Sequence, residues 1–319
     1  MAEERRQVRV DGRRLSLSNL DKVLYPDTGF TKGEVIDFYV RIADVLLPHL
    51  VDRPVTVIRF PDGVDGQSFF AKNAPSHTPT WVRTVRLPAP SSTSPDGTVD
   101  YVVVRDLATL VWLANLAALE FHVPQWRIGP RGAARSPDLL VIDLDPGPPA
   151  GLPACLRVAA LLRDRLADDG LTAYPKTSGR KGMQLLCPVS GRQSADVVAG
   201  YAKTLATELA REHPDLVVDR MAKDVRGGKV FLDWSQNNAA KTTVAPYSLR
   251  ALSSPTVSTP LTWDEVVDGT SRRYDPEQAL SRVARHGDLM AGLADGGPEV
   301  PTGRAAGRSP ARPASKDRS

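Results

Sequence analysis

The run Leu139-Leu140-Val141-Ile142-Asp143-Leu144-Asp145-Pro146-Gly147 carries four apolar residues straight into two carboxylates. Alternate residues of a strand point to the same face, so Asp143 and Asp145 project together while Leu144 points away. Two carboxylates that close repel each other unless a cation joins them, and their oxygens are the hard ligands that Mg²⁺ and Mn²⁺ favour. One or two carboxylates plus substrate phosphates is the usual arrangement for phosphoryl-transfer chemistry. Pro146-Gly147 then stops the strand and turns the chain, which places both carboxylates at a strand end facing a cleft. The plainer alternative is a solvated turn after a core strand. An apolar run on both faces marks a central strand and favours the metal-site reading.

Lys229-Val230-Phe231-Leu232-Asp233-Trp234 is a second apolar strand with one carboxylate near its end, and Asp233 is the third candidate metal ligand. Between the two lies Lys176-Thr177-Ser178-Gly179-Arg180-Lys181-Gly182-Met183-Gln184, a turn with two glycines, two hydroxyls and cations. Such a turn can wrap a triphosphate: glycines let backbone N–H groups approach phosphate, Ser178 donates to an oxygen and Lys181 supplies a point charge. It lacks the Gly-x-x-x-x-Gly-Lys-Ser/Thr spacing of a P-loop and opens no helix. Arg226 and Arg250 are further phosphate candidates, although a lone surface arginine is usually just solvated.

Phe69-Phe70-Ala71-Lys72-Asn73 puts two rings beside a cation. Read alone, the segment fits base stacking on a nucleic-acid strand or a core ring beside a rim ring, since a strand buries only one of two neighbours. Asn19, Lys22 and Lys32 surround the loop Tyr25-Pro26-Asp27-Thr28-Gly29 before a helix whose first amides are also candidates for phosphate. A single histidine such as His122 is more often packed or capping than catalytic.

These groups need a scaffold. The pattern predicts helices over 32–46, 107–121, 152–169 and 195–212, the second capped by Asp106 and the third ended by Gly170 in a left-handed conformation. Strands are predicted over 55–59, 82–87, 99–104, 139–143, 172–176, 183–189 and 229–234, with 88–97 a hairpin connection. Mixed without strict alternation, they give an α+β (mixed α/β) domain, and the stretch from 139 to 234 reads as β-α-β-β-α-β.

Of the net charge of +4, most lies in residues 296–319, where five Lys and Arg face two acidic residues. This Gly-, Pro- and Ala-rich segment buries too little to fold and is read as a disordered basic tail after a single catalytic unit, 1–295. A near-neutral body holds a polyanion by local patches. Two cysteines exclude a Cys-rich zinc site, and the lack of a ~20-residue apolar run or apolar leader predicts a cytoplasmic protein with no membrane partner.

Taken together, Asn19-Leu20-Asp21-Lys22-Val23-Leu24-Tyr25-Pro26, Phe69-Phe70-Ala71-Lys72-Asn73-Ala74-Pro75, Asp143-Leu144-Asp145-Pro146-Gly147, Ser178-Gly179-Arg180-Lys181-Gly182, Phe231-Leu232-Asp233 and Ala245-Pro246-Tyr247-Ser248-Leu249-Arg250 resemble the polymerase domain of bacterial ligase D, of the archaeo-eukaryotic primase superfamily. The resemblance runs in order from about residue 12 to 290. It implies a primase-polymerase fold with a split β-α-β catalytic sheet and a second packed β-rich lobe. It also implies a template-dependent nucleotidyltransferase that fills gaps and extends ends at DNA double-strand breaks, preferring ribonucleotides and using two Mn²⁺ or Mg²⁺ ions. Asp143, Asp145 and Asp233 then match metal ligands. His122, Ser178, Lys181, Gly182, Arg226, Gln236 and Arg250 match the nucleotide site. Phe69 and Phe70 match a template-stacking pair, and Asn19, Lys22 and Lys32 match the pocket for a downstream 5′-phosphate. The implied partners are DNA with a gap or end bearing that phosphate, NTP or dNTP substrates, the Ku end-binding protein and a separate ligase, in the cytoplasm at the nucleoid. The rival readings are primer synthesis, a non-catalytic end-binding factor and, from Asp-x-Asp alone, a haloacid-dehalogenase-type phosphatase, whose motif differs after the second Asp. One departure stands out: the family usually has His where this chain has Gln184, and an amide donates to phosphate but carries no proton or charge.

Overall fold

Sequence pattern and chain order build two sheets of different character, and the computed structural model describes them over residues 5–89 and 96–303. In chain order come β1 (Arg5–Val10), β2 (Arg13–Ser18), β3 (Val23–Tyr25), β4 (Phe30–Thr31), α1 (Lys32–Leu50), β5 (Pro54–Arg59), β6 (Phe69–Ala71), β7 (Thr84–Pro88), β8 (Thr98–Val103), α2 (Leu107–Asn115) and β9 (Ala118–Val123). Then follow β10 (Trp126–Ile128), β11 (Ala134–Pro137), β12 (Leu139–Pro146), α3 (Leu152–Asp168), β13 (Tyr174–Thr177), β14 (Met183–Pro188), α4 (Ala195–Glu212), β15 (Val217–Val218), β16 (Val230–Leu232), β17 (Thr243–Val244), β18 (Leu249–Arg250), β19 (Thr256–Val257), α5 (Trp263–Val267) and α6 (Pro276–His286).

The first sheet runs β17-β9-β5-β8-β7 with β6 added to β5, and its core includes side chains of α1 and α2. The second runs β13-β14-β12-β16-β15, so β12 is central, with antiparallel neighbours on both sides. Leu140, Ile142 and Leu144 of β12 enter the core formed with α3 and α4. Leu139 and Val141 pack on the other face, against Met290 and Leu293. Asp143 and Asp145 share that second face, beyond the end of its apolar cover. The strands expected at 139–143 and 229–234 are direct neighbours, and 84–103 forms the expected hairpin, whose residues 90–95 lie outside the described residues.

Local signals explain most ends. Thr31 and Glu34 form a capping box on α1, Asp106 accepts the Thr109 N–H at 2.8 Å, and Gly170 (φ 76°) follows α3. The helix expected over 107–121 stops at Asn115, because Ala117 takes a left-handed φ of 57° and the chain re-enters the sheet as β9. The apolar composition of 107–121 hides this break, which has no glycine to mark it.

The segment after 295 also differs from expectation. Ser190 N donates to Pro298 O at 3.0 Å, Gln193 exchanges bonds of 2.8 and 2.7 Å with the Val300 backbone, and Val300 is buried in the α3–α4 core. One apolar side chain and three backbone bonds tie this segment down despite its composition. Residues 304–319 lie outside the described residues. Among the described residues no helix is long and apolar enough to cross a membrane.

Candidate active site

The sheet register sets the carboxylates. Asp143 lies opposite Gln184 of β14, Asp145 opposite Phe231 of β16, and Asp233 N donates to Asp143 O at 2.9 Å. Burial, opposed by the Gln184 hydrogen bond and reinforced by the charges of Asp233 and Asp145, pushes the Asp143 carboxyl up to about 6. The group therefore sits where its own charge is poorly solvated, with two further carboxylates close by. Asp145 takes Lys181 at 3.2 Å and Arg226 at 3.4 Å, while Asp233 accepts from Ser235 N at 3.1 Å and from Gln236 Nε2 at 3.0 Å. Each of these two carboxylates is thus turned to its own partners, and among the described residues no three His, Cys, Asp or Glu side chains gather closely enough to hold a metal as they stand. The donor set itself fits a hard divalent cation. A cation that displaces Lys181 and Arg226 from Asp145 would also supply Asp143 with the counter-charge that its poorly solvated position lacks.

A cavity of 220 Å³ opens beside these groups, lined on one side by Asp143, Asp145, Lys181, Gly182 and Gln184 and on the other by His122, Thr242, Val244 and Arg250. Gln236, Ser178 and Arg180 also line it. Arg226 is not among its lining residues; it stacks on Phe231 at 3.8 Å and holds Asp145 from the side.

The glycines of the Ser178–Gly182 turn have a packing role that the sequence did not show. A Cβ on Gly182 would lie 2.2 Å from Leu144 O, and one on Gly179 (φ 70°) 2.6 Å from Arg250 Cγ. They let the turn approach β12 and Arg250. Ser178 Oγ accepts from Arg180 N at 3.2 Å and Gly182 N at 3.3 Å, so the hydroxyl also closes the turn.

Sequence reasoning missed Glu120. Fully buried on β9, it takes His122 Nε2 at 2.9 Å, Arg250 Nε at 3.2 Å, Arg180 at 3.0 Å and Ala251 N at 3.0 Å. Burial pushes its carboxyl up, but the His122 bond, the Arg250 charge and the Ala251 amide more than reverse this and hold it well below the usual range. An ionised carboxylate only accepts, so Nε2 of His122 carries the hydrogen; burial also lowers the His122 pKa. Glu120-x-His122 inside an apolar run is the same alternation that marks Asp143-x-Asp145. Lys176 was noted only as a cation of the turn, yet it is fully buried and bonded to Gln184 Oε1 at 2.6 Å. His122 stands within β9 and not after a helix.

With this geometry in hand, residues 31–290 match the family model described as LigD, primase-polymerase domain. The chain belongs to the LigD primase-polymerase family. It is 44% identical over 282 residues to the multifunctional non-homologous end joining protein LigD of Mycolicibacterium smegmatis, covering 88% of this chain and 36% of that protein. It is 35% identical over 283 residues to the bifunctional non-homologous end joining protein LigD of Bacillus subtilis, covering 86% and 43%. The chain thus spans little more than a third of the mycobacterial relative. Among solved structures, the polymerase domain from Mycobacterium tuberculosis ligase D in complex with DNA matches with a TM-score of 0.83 and 42% identity, covering 89% of this chain and 99% of that one.

In this LigD primase-polymerase domain the remaining expected residues lie away from the carboxylates. Phe69 and Phe70 stand on β6, and both are exposed, at 45% and 57%, with Lys72 Nζ 5.7 Å from the Phe70 ring centroid. The alternative of one core ring is therefore not what the sheet shows. Lys22 pairs with Asp62 at 2.8 Å, whereas Lys32 is buried and donates to Ser18 O at 2.6 Å. Their backbones adjoin, but their ammonium groups are held apart, and Asn19 takes a φ of 53° beside them. The first amides of α1 are not available to phosphate: Lys32 N, Gly33 N and Glu34 N donate to Lys22 O, Leu20 O and Thr31 Oγ1.

Proposed function

We propose that this protein is a template-dependent nucleotidyltransferase that fills gaps and extends primer ends at DNA double-strand breaks in non-homologous end joining, with ribonucleotides preferred. One observation carries the reading: a single cavity sets carboxylates Asp143 and Asp145 against the cations Lys181 and Arg250. That combination suits a metal-bound triphosphate, whose charge neither group alone would balance.

Asp143, Asp145 and Asp233 would hold two divalent ions, Mn²⁺ or Mg²⁺, which supply activation of the primer 3′-hydroxyl and neutralisation of the charge that builds at the α-phosphorus. Lys181 and Arg226, which balance Asp145, become available to phosphate once a cation takes their place. Arg250 and His122 are held toward the cavity by Glu120, so little order is lost when nucleotide binds. Ser178, Gly182 and Gln236 shape the triphosphate side. Phe69 and Phe70 are the template platform, and Asn19, Lys22 and Lys32 the 5′-phosphate pocket. Ku and a separate ligase would deliver and seal the ends, at the nucleoid.

The test is extension of a gapped, 5′-phosphorylated duplex with NTPs or dNTPs, in Mn²⁺ or Mg²⁺, with an unprimed template alongside. Templated addition of ribonucleotides to the primed gap is expected. Equal products on gapped and unprimed substrates would replace repair with priming, and no incorporation on either would leave an end-binding factor.

A further inference from the structure

Gln184 occupies the position that raised doubt in the sequence, and the sheet gives it a partner on each side. Lys176 of β13 lies opposite Gln184 of β14, and Gln184 lies opposite Asp143 of β12, so the three form one row across neighbouring strands. Lys176 Nζ donates to Gln184 Oε1 at 2.6 Å and to Ser258 Oγ at 2.7 Å; Gln184 Nε2 donates to Asp143 Oδ1 at 3.0 Å. Ser258 passes its own hydrogen to Thr177 O at 3.0 Å, so it can only accept from Lys176.

The row has one polarity. Lys176 offers hydrogens, so the amide carbonyl must face it; turning the amide over would set carbonyl oxygen against carboxylate oxygen and a donor against an amine. Lys176 is completely buried and Gln184 nearly so, and a half-satisfied row in such a place costs more than none. Among the described residues Asp143 Oδ2 takes no hydrogen bond.

We infer that Lys176 and Gln184 are positioning residues: they pin Oδ1 of Asp143 and so leave Oδ2 as the oxygen offered to the divalent ion. This rests on Asp143 being a metal ligand. A neutral histidine at position 184 would serve the same polarity, accepting from Lys176 on one ring nitrogen and donating to Asp143 from the other. Gln184 therefore belongs to the metal site and not to the triphosphate contacts expected from the sequence. It also does so without a protonation state that could block the relay.

The deciding measurement is Mn²⁺ binding to the full chain without nucleotide, followed by electron paramagnetic resonance. It is paired with steady-state gap filling that separates kcat, the Mn²⁺ half-saturation and the KM for NTP. Gln184→Leu keeps the volume and removes both bonds; it should weaken Mn²⁺ binding by about 10-fold, within the range for lost partners of a metal ligand. It should lower kcat at limiting Mn²⁺ and leave the NTP KM within about twofold. Gln184→His should restore Mn²⁺ binding to within about threefold of the starting protein. Lys176→Met should fall between the two; if it does not fold, the Leu and His variants still decide. Unchanged Mn²⁺ affinity in Gln184→Leu, or a raised NTP KM with unchanged Mn²⁺ affinity, would overturn the inference. Asp145→Ala is the control. If it binds Mn²⁺ like the starting protein the ligand assignment itself fails, whereas a loss there with none in Gln184→Leu removes only the positioning row.

Discussion

Glu120, buried on the first sheet behind the His122 and Arg250 that line the cavity, and Asp143, a half-buried carboxylate in the cavity wall on the second, have acidities that move in opposite directions. Glu120 is ringed by His122, Arg180 and Arg250, so it is ionised and finished. Asp143 faces Asp145 and Asp233 and is left short of positive charge. Burial alone does not make a metal site. What separates a structural carboxylate from a candidate ligand is whether the protein supplies its counter-charge or leaves it to be supplied from outside.

The sharpest way to break that contrast is to remove a ligand. Asp145→Ala should lower gap filling by about 1000-fold or more, equivalent to about 4 kcal/mol of transition-state stabilisation, while DNA binding by fluorescence anisotropy changes little. Extension near the starting rate would end the ligand assignment. Glu120→Gln tests the finished side: it strands Arg250 beside a neutral amide, and chemical denaturation should show a loss of about 3–5 kcal/mol. The NTP KM should rise as well, because Arg250 and His122 lose their anchor.

The pH dependence sharpens the contrast further. Asp143 has a folded pKa raised to about 6 from 3.8, so the native state binds the extra proton, and metal-free stability falls as pH rises from about 4 to 6. The fall attributable to this half-buried group is at most about 3 kcal/mol, should be absent in Asp143→Asn and should shrink when Mn²⁺ is added. Glu120 has the opposite sign: its contribution is present above the unfolded pKa and lost as pH falls through the acid range. The smallest effect belongs to the first sheet's edge. Phe70→Ala should weaken binding to a templated gap by about 1–3 kcal/mol with unchanged Tm, since the ring is exposed.

Much of the second sheet was legible because its signals are local and periodic. Apolar runs ending in carboxylates located β12 and β16, and elsewhere the cap at Asp106 and the left-handed Gly170 marked a helix start and a helix end. The α2–β9 break was not legible, since Ala117 adopts a conformation usually left to glycine inside an apolar stretch. Glu120 and the Lys176–Gln184 row were harder to read: apart from His122, two residues from Glu120, their partners lie 60 to 131 residues away or on the next strand, where sequence spacing carries no signal. The packing role of Gly182 was not legible because backbone approach to protein and to phosphate demand the same residue.

The late segment around Val300 sets where this polypeptide can be shortened. A cut after residue 295, attractive from composition, would remove three hydrogen bonds and leave a Val-sized hole in the core that α3 and α4 share, whereas a cut after 303 spares both. The shorter fragment should melt several degrees lower by calorimetry, and its yield on expression would report on a lost plug and not on the carboxylate site.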